Sequence, residues 1–289
     1  MEGIVVGADA TAAGVAAARW ALQEGALRAL PVTVVRAWVD PVVMGYGMGL
    51  ALATELDGVR RAAEALAHDV LGKAGGPGGV PQATALAVQG RATEVLTRSS
   101  ADADLVVVGT RSAGALSRGV LGSVSASVLH HAHCPVVVVP EPRDEPAAGR
   151  RVVVGVDHSP SSLHALGWAA AEAQRRSCPL VPVLVREPAG TGSGGDEVTG
   201  LARLEASERA ALVAAARRHH PGLTVEPEVL GGHAAHALLR FTGPGDLVVL
   251  GARGRGGFRS LLLGSTSTAV AEHACCPVVV IRPPHPPGD

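Results

Sequence analysis

One glycine-rich pattern occurs twice in this chain at a fixed distance. The first copy reads Gly109-Thr-Arg-Ser112, nine residues, then Gly122-Ser123; the second reads Gly251-Ala-Arg-Gly254, nine residues, then Gly264-Ser265. The separation is constant (251 − 109 = 142 and 264 − 122 = 142), and it carries Cys134-Pro135 onto Cys276-Pro277. Earlier landmarks repeat at a slightly larger distance: Asp9 matches Asp157 and Trp20 matches Trp168 (157 − 9 = 148 and 168 − 20 = 148). The six-residue difference requires a length change between the first helix and the fourth strand of each copy. Pro41–Thr54, which has no evident counterpart, is where it is expected. A chain of 289 residues is long enough for two such modules, each with its own core.

Within each copy, short Val-rich runs alternate with longer Ala/Leu-rich amphipathic stretches. Strands are expected near Gly3–Ala8, Val32–Trp38, Gln82–Val88, Leu105–Gly109 and Pro135–Pro140, then near Arg151–Val156, Leu180–Arg186, Thr224–Leu230, Asp246–Gly251 and Pro277–Arg282. Helices are expected over Ala12–Ala29, Glu55–Gly72, Ala92–Ala101 and Ser123–His131, then over Ser161–Ser177, Gly200–His219, Ala234–Phe241 and Ser265–Cys275, with Ser161 and Ser265 as N-caps. Unbroken apolar strands alternating with helices indicate an α/β chain whose parallel sheets are covered on both faces. The expected domains are 1–140 and 151–283, joined by the Pro- and charge-rich linker 141–150 and followed by a tail, 284–289. Gly75–Gly79 and Gly190–Gly195 read as surface loops.

Composition narrows the function. The 25 basic and 26 acidic residues balance, so no broad polyanion-binding face is expected, and aromatics at 2% leave few platforms for stacking bases. Nucleic-acid binding is therefore not expected. The longest uncharged apolar stretch, near Pro41–Thr54, is too short and glycine-rich to span a bilayer. The amino-terminal Gly3–Gly7 run lacks a basic flank, arguing against a signal peptide. The four cysteines, Cys134, Cys178, Cys275 and Cys276, contain no Cys-x-x-Cys and read as reduced, mostly buried thiols of a cytoplasmic protein, with Cys275-Cys276 a packed pair. His130, His131, His133 and Cys134 are crowded at one helix end, where they cannot all converge on one ion.

In open parallel sheets, ligands sit beyond the carboxyl ends of the strands, where the winding reverses. Here those ends carry Asp9 and Asp157 after the first strands, and Gly109 and Gly251 after the fourth. A carboxylate accepts hydrogen bonds from a ribose, a glycine turn brings main-chain N–H groups close to phosphate, and a helix opening at Gly264-Ser265 offers free N–H donors. Ser265 and Ser267 are expected to add hydroxyl donors. Arg253, Arg255 and Arg259 are candidates for phosphate contact or for plain solvation. In the first copy, Ser112 stands at the second glycine; a positive φ there would cost about 1–2 kcal/mol, roughly tenfold in affinity.

These residues carry a resemblance to the universal stress proteins, in tandem form. The family pattern Gly-x-x-Gly, nine residues, Gly-Ser/Thr is met by Gly251, Gly254, Gly264 and Ser265. Val-Gly-Val-Asp157-His-Ser-Pro and Cys276-Pro-Val-Val-Val-Ile281 resemble the family's opening and fifth strand. The resemblance implies two five-stranded parallel sheets of order 3-2-1-4-5, adenine nucleotide alpha hydrolase-like. It implies ATP, AMP or ADP as ligand, with or without Mg2+. Adenine would lie against strand 2 at Val185 or Ala37, ribose at Asp157 and Gly251, and phosphates on Arg253, Gly254, Gly264, Ser265, Thr266 and Ser267. The first-copy equivalents are Asp9, Gly109, Ser112, Gly122, Ser123 and Ser125. It also implies pairing of the two halves through their fifth strands, Val136–Val139 and Val278–Ile281; homodimerisation is left open. Three functions are weighed: a nucleotide-binding stress or signalling module, a scaffold that binds no nucleotide, and an ATP-using enzyme. For the last, no general base, nucleophile or set of metal carboxylates is evident beside the glycines.

Overall fold

The computed structural model describes residues 1–40, 52–75, 82–110, 121–142, 150–186, 195–254 and 263–282, without the side chains of 52–55 and 195–204. The chain divides into two compact units, Met1–Pro142 and Arg143–Asp289. In the first, β1 (Ile4–Gly7), α1 (Ala12–Arg28), β2 (Val32–Trp38), α2 (Leu52–Lys73), β3 (Ala83–Gln89), α3 (Ala92–Ser99), β4 (Leu105–Gly109), α4 (Ser123–His131) and β5 (Val136–Val139) alternate. All strand pairings are parallel, in the order β3-β2-β1-β4-β5. The second unit contains β6 (Val152–Val156), α5 (Pro160–Arg175), β7 (Leu180–Arg186), α6 (Gly195–Arg217), β8 (Glu228–Gly231), α7 (Ala234–Phe241), β9 (Leu247–Gly251), α8 (Ser265–His273) and β10 (Val278–Ile281). Its order, β8-β7-β6-β9-β10, is the same 3-2-1-4-5 winding.

The sequence dictates this packing in a simple way. The central strands are nearly all Val, Ile and Leu, and Val5, Val6, Val106, Val107, Val153 and Val154 are fully buried. That is the composition of strands covered on both faces. The helices that cross from the first strand to the second present small residues to the sheet: Ala13, Ala17 and Ala21 in α1, and Ala165, Ala169 and Ala173 in α5, all fully buried. Helix and strand approach closely enough that a Cβ on Gly109 would lie 2.7 Å from the Ala13 carbonyl oxygen, and one on Gly251 would lie 2.8 Å from that of Ser161. Each of these helices also buries one carboxylate against arginine. Glu24 pairs with Arg28, and Glu172 pairs with Arg175 at 2.5 Å and Arg176 at 2.6 Å.

Two expected caps are corrected. The N-cap of α5 is Ser159, whose hydroxyl accepts the Ser162 N–H while Pro160 occupies the first helical position; Ser161 lies inside the helix and is buried. The N-cap of α8 is Gly264, and Ser265 is already helical. The segment Gly190–Gly195, expected as a loop, lies outside the described residues except for Gly195, which opens α6.

The third strand of the second unit is shorter than its sequence suggests. Leu180 meets Val225 only as an isolated bridge, and regular pairing resumes at Val183 with Glu228. The Leu180 N–H donates to Thr224 O and its carbonyl accepts the Glu226 N–H, so Pro182, the next β7 residue facing β8, would have to donate to Glu226. It has no N–H, and the ladder breaks there. The first unit has Val34 at that place and pairs without interruption from Val32 with Ala83 to Trp38 with Gln89. These registers equate Ala83 with Val225 and Val32 with Leu180. The length change between the copies therefore lies between the second and third strands, where residues 39–51 join β2 to α2 and residues 187–194 join β7 to α6. Most of Pro41–Thr54 is outside the described residues.

All four cysteines are free thiols. Burial pushes Cys134 up to about 12; its hydrogen bond with Cys275, and then burial, push Cys276 up as well. A three-unit rise lowers the thiolate fraction about a thousandfold at mildly alkaline pH. Cys134 should therefore react with an alkylating reagent only as fast as its unit unfolds. Time-resolved mass mapping checks this, and labelling of native Cys134 at a model-peptide rate would contradict it. No described helix is long and apolar enough to cross a membrane.

Candidate functional site

The winding reverses between β6 and β9, and the expected residues of the second copy gather at that end of the sheet. Asp157 follows β6, and its Oδ1 accepts the Ser159 N–H at 3.0 Å across a turn in which His158 takes a left-handed φ of 63°. The turn Gly251–Gly254 is fixed from two sides. Toward α5, the Ser159 hydroxyl donates to Arg253 O at 3.2 Å and the Arg253 N–H donates to the Ser161 hydroxyl at 3.4 Å. Toward α8, the Gly264 N–H donates to Ala252 O at 2.7 Å and the Ser267 hydroxyl donates to Gly251 O at 2.7 Å. Asp157, Gly251, Arg253, Gly254, Gly264 and Ser267 are thus brought together. Ser265 is exposed and Thr266 half-buried in the first turn of α8, while Val185 lies half-buried near the same end of β7.

The three glycines differ in what demands them. None has a positive φ, so backbone strain does not explain Gly254. A Cβ there would instead lie 2.6 Å from Asp157 Oδ2; glycine lets the turn close onto the carboxylate. Gly251 makes room for the α5 backbone. Among the described residues Gly264 meets only ordinary contacts, the nearest being Ala252 O at 3.5 Å.

Ser267 is engaged within the protein. Its hydroxyl is buried and its proton is committed to Gly251 O, and Ser125 makes the same 2.7 Å bond to Gly109 O in the first unit. These bonds hold the helix start against the strand end. Ser159 and Ser161, which staple the turn, were not among the expected site residues. The Ser-Pro-Ser-Ser run directly after Asp157-His158 was the available signal.

In the first unit, Asp9, Ala37, Gly109 and Ser125 line one recess with Gly7 and Gly14, roofed by Ala92 and Leu96 of α3; its atom-free space is about 590 Å³, part of it open to solvent. Asp9 is exposed, and its Oδ1 accepts both the N–H (3.1 Å) and the hydroxyl of Thr11. Gly122 caps α4 and Ser123 is exposed, as their counterparts are. Ser112, Arg255 and Arg259 lie outside the described residues. The two units differ beside the aspartate. Where the second has Ser161 and Ser162, the first has Ala13 and Gly14, and a Cβ on Gly14 would lie 2.5 Å from Asp9 Oδ1.

Burial, and then the charge of Arg253, lower the pKa of Arg282, which follows β10. Among the described residues, no group of three or more His, Cys, Asp or Glu side chains could hold a metal ion.

A family model described as the Universal stress protein family matches residues 1–140 and again 149–282. A universal stress protein of Mycolicibacterium smegmatis is 38% identical over 293 residues, covering 97% of both chains. One from Mycobacterium tuberculosis is 33% identical over 294 residues, covering 97% of this chain and 96% of its own. Among solved structures, a universal stress protein from Archaeoglobus fulgidus shares the fold with a TM-score of 0.67 at 20% identity, over 97% of this chain and 98% of that one.

Proposed function

The chain belongs to the universal stress protein family in its tandem form, and from that premise we propose that it binds adenine nucleotide and works as a stress-response or signalling module. The observation that carries this reading is the doubly stapled Gly251–Gly254 turn, which sits between Asp157 and the start of α8. In the proposed complex, Asp157 takes the ribose, Val185 flanks adenine, and the phosphates lie along Gly254, Gly264, Ser265 and Thr266 with Arg253 beside them. With ATP, Mg2+ would be held by phosphate oxygens and water, because Mg2+ keeps several waters and needs only one or two carboxylates.

The first domain is proposed as a second, weaker site, with Asp9, Ala37, Gly109, Gly122 and Ser123 in the matching roles. Ser112 stands where the second domain has Gly254. The functional domains are taken as 1–140 and 151–283, paired through their fifth strands, in a cytoplasmic protein. Asp157 is engaged by the Ser159 N–H and suits ribose rather than the work of a general base, so catalysis is not the proposed role.

Isothermal titration of the purified chain with ATP, ADP and AMP, each with and without Mg2+, tests the reading. The expected result is one tighter and one weaker site, about tenfold apart. No heat at millimolar nucleotide, together with no adenylate released from natively purified protein, leaves the scaffold reading in its place.

A further inference from the structure

We propose that the chain self-associates through the outer edge of β3, two copies pairing antiparallel about a two-fold axis at Leu86. The argument begins with the direction of the main chain. Val32 N–H donates to Gln82 O at 2.8 Å, and Gly90 N–H donates to Trp38 O at 2.8 Å, so the even-numbered residues of this segment turn toward β2. Ala83, Ala85, Ala87 and Gln89 therefore turn their N–H and C=O groups outward. Among the described residues, none of these outward groups meets a hydrogen-bond partner.

The second unit closes the same edge. The registers Val35 with Leu86 and Val183 with Glu228 place Ala85 and Pro227 at equivalent positions. Pro227 has no N–H to offer, and its carbonyl accepts Arg209 Nη1. Glu226 and Glu228 flank it, the latter 3.5 Å from Arg209. Proline and charge on an edge are the devices that keep other strands away. The first unit has none of them: Ala83–Gln89 contains no proline and no charged residue.

The composition of β3 favours a second copy of itself as the occupant. Leu86 is the midpoint of the seven-residue strand and, at 42% exposure, one of three exposed large hydrophobic residues among those described. A two-fold axis there sets Leu86 against Leu86, Thr84 against Val88, Ala85 against Ala87 and Ala83 against Gln89, with no like charges opposed. The outward residues face one another as hydrogen-bonded pairs, forming about eight main-chain bonds, and Leu86 falls on a non-hydrogen-bonded pair where side chains approach most closely.

Light scattering after size exclusion tests this on the full chain. The expected wild-type particle is twice the 29.1 kDa chain mass, and Ala85→Pro should halve it. The circular dichroism and melting temperature should stay those of wild type, since the equivalent position already holds Pro227. In a second arm, glutathione disulfide oxidises the two thiols of paired Leu86→Cys chains to one intermolecular disulfide and is itself reduced to two glutathione thiols. This cross-link should form at least about tenfold faster than with Leu27→Cys, a comparably exposed leucine away from the edge. A single-mass wild type, or an Ala85→Pro protein that stays folded and keeps the wild-type mass, overturns the proposal. If Ala85→Pro fails to fold, equal cross-linking rates for the two cysteine variants overturn it.

Discussion

Gly264→Trp should remove adenylate binding from the second domain and leave its stability nearly unchanged. The expected loss is at least a hundredfold in Kd, about 2.7 kcal/mol. The reason lies in how differently the three glycines are used. Among the described residues a Cβ at Gly264 meets nothing nearer than Ala252 O at 3.5 Å, and the indole is expected to occupy the proposed phosphate cradle. The matched control is Gly251→Ala, whose methyl would meet the Ser161 carbonyl carbon at 2.7 Å and oxygen at 2.8 Å. Backbone cannot move aside cheaply, and overpacking of this kind costs about 1–3 kcal/mol of stability. Titration calorimetry and thermal melting on the two variants should therefore separate a binding lesion from a folding lesion. Unaltered nucleotide affinity in folded Gly264→Trp would remove the second domain's cradle from consideration.

The largest stability effect is expected from Arg28→Met in the first domain. Glu24 is 1% exposed and pairs with Arg28, which is itself 12% exposed. Taking away this cation removes a close ion pair from a buried carboxylate, which costs up to about 3–5 kcal/mol, on the order of 10 °C in melting temperature for a unit of this size. Arg176→Met, the matching change in the second domain, should cost much less, because Glu172 keeps Arg175 at 2.5 Å. The double variant Glu24→Leu/Arg28→Met should recover most of the loss, since well-packed apolar residues replace buried ion pairs at little cost. Chemical denaturation followed domain by domain checks all three; equal losses for Arg28→Met and Arg176→Met would contradict the assignment.

The parts of this fold that depend on local composition were legible in the sequence. Val32–Trp38, Leu105–Gly109, Leu180–Arg186, Ser123–His131 and Ala234–Phe241 form the expected elements over the expected residues, because unbroken β-branched runs and Ala/Leu-rich stretches admit little else. The parts that depend on which hydrogen bond wins were not. Ser161 and Ser265 satisfy the compositional rule for a cap, yet Ser159 and Gly264 hold those positions. The sequence alone does not say which of three nearby serines faces a free N–H. The β8 ladder fails opposite Pro182, a residue in another strand, so only the pairing register reveals the break. The recurring glycines and aspartates fall at the carboxyl end of each sheet. The reason for Gly254, its closeness to Asp157, and the inward commitment of the Ser125 and Ser267 hydroxyls emerge only in three dimensions.

Pro227, just before β8, has one more consequence. If β3 recruits a twin, the union consumes that strand's border, and the corresponding edge of the second unit, with Pro227 and its flanking glutamates, offers no second one. A gene duplication that had copied both borders faithfully would have risked an endless fibre. One imino acid at position 227 makes the assembly self-terminating.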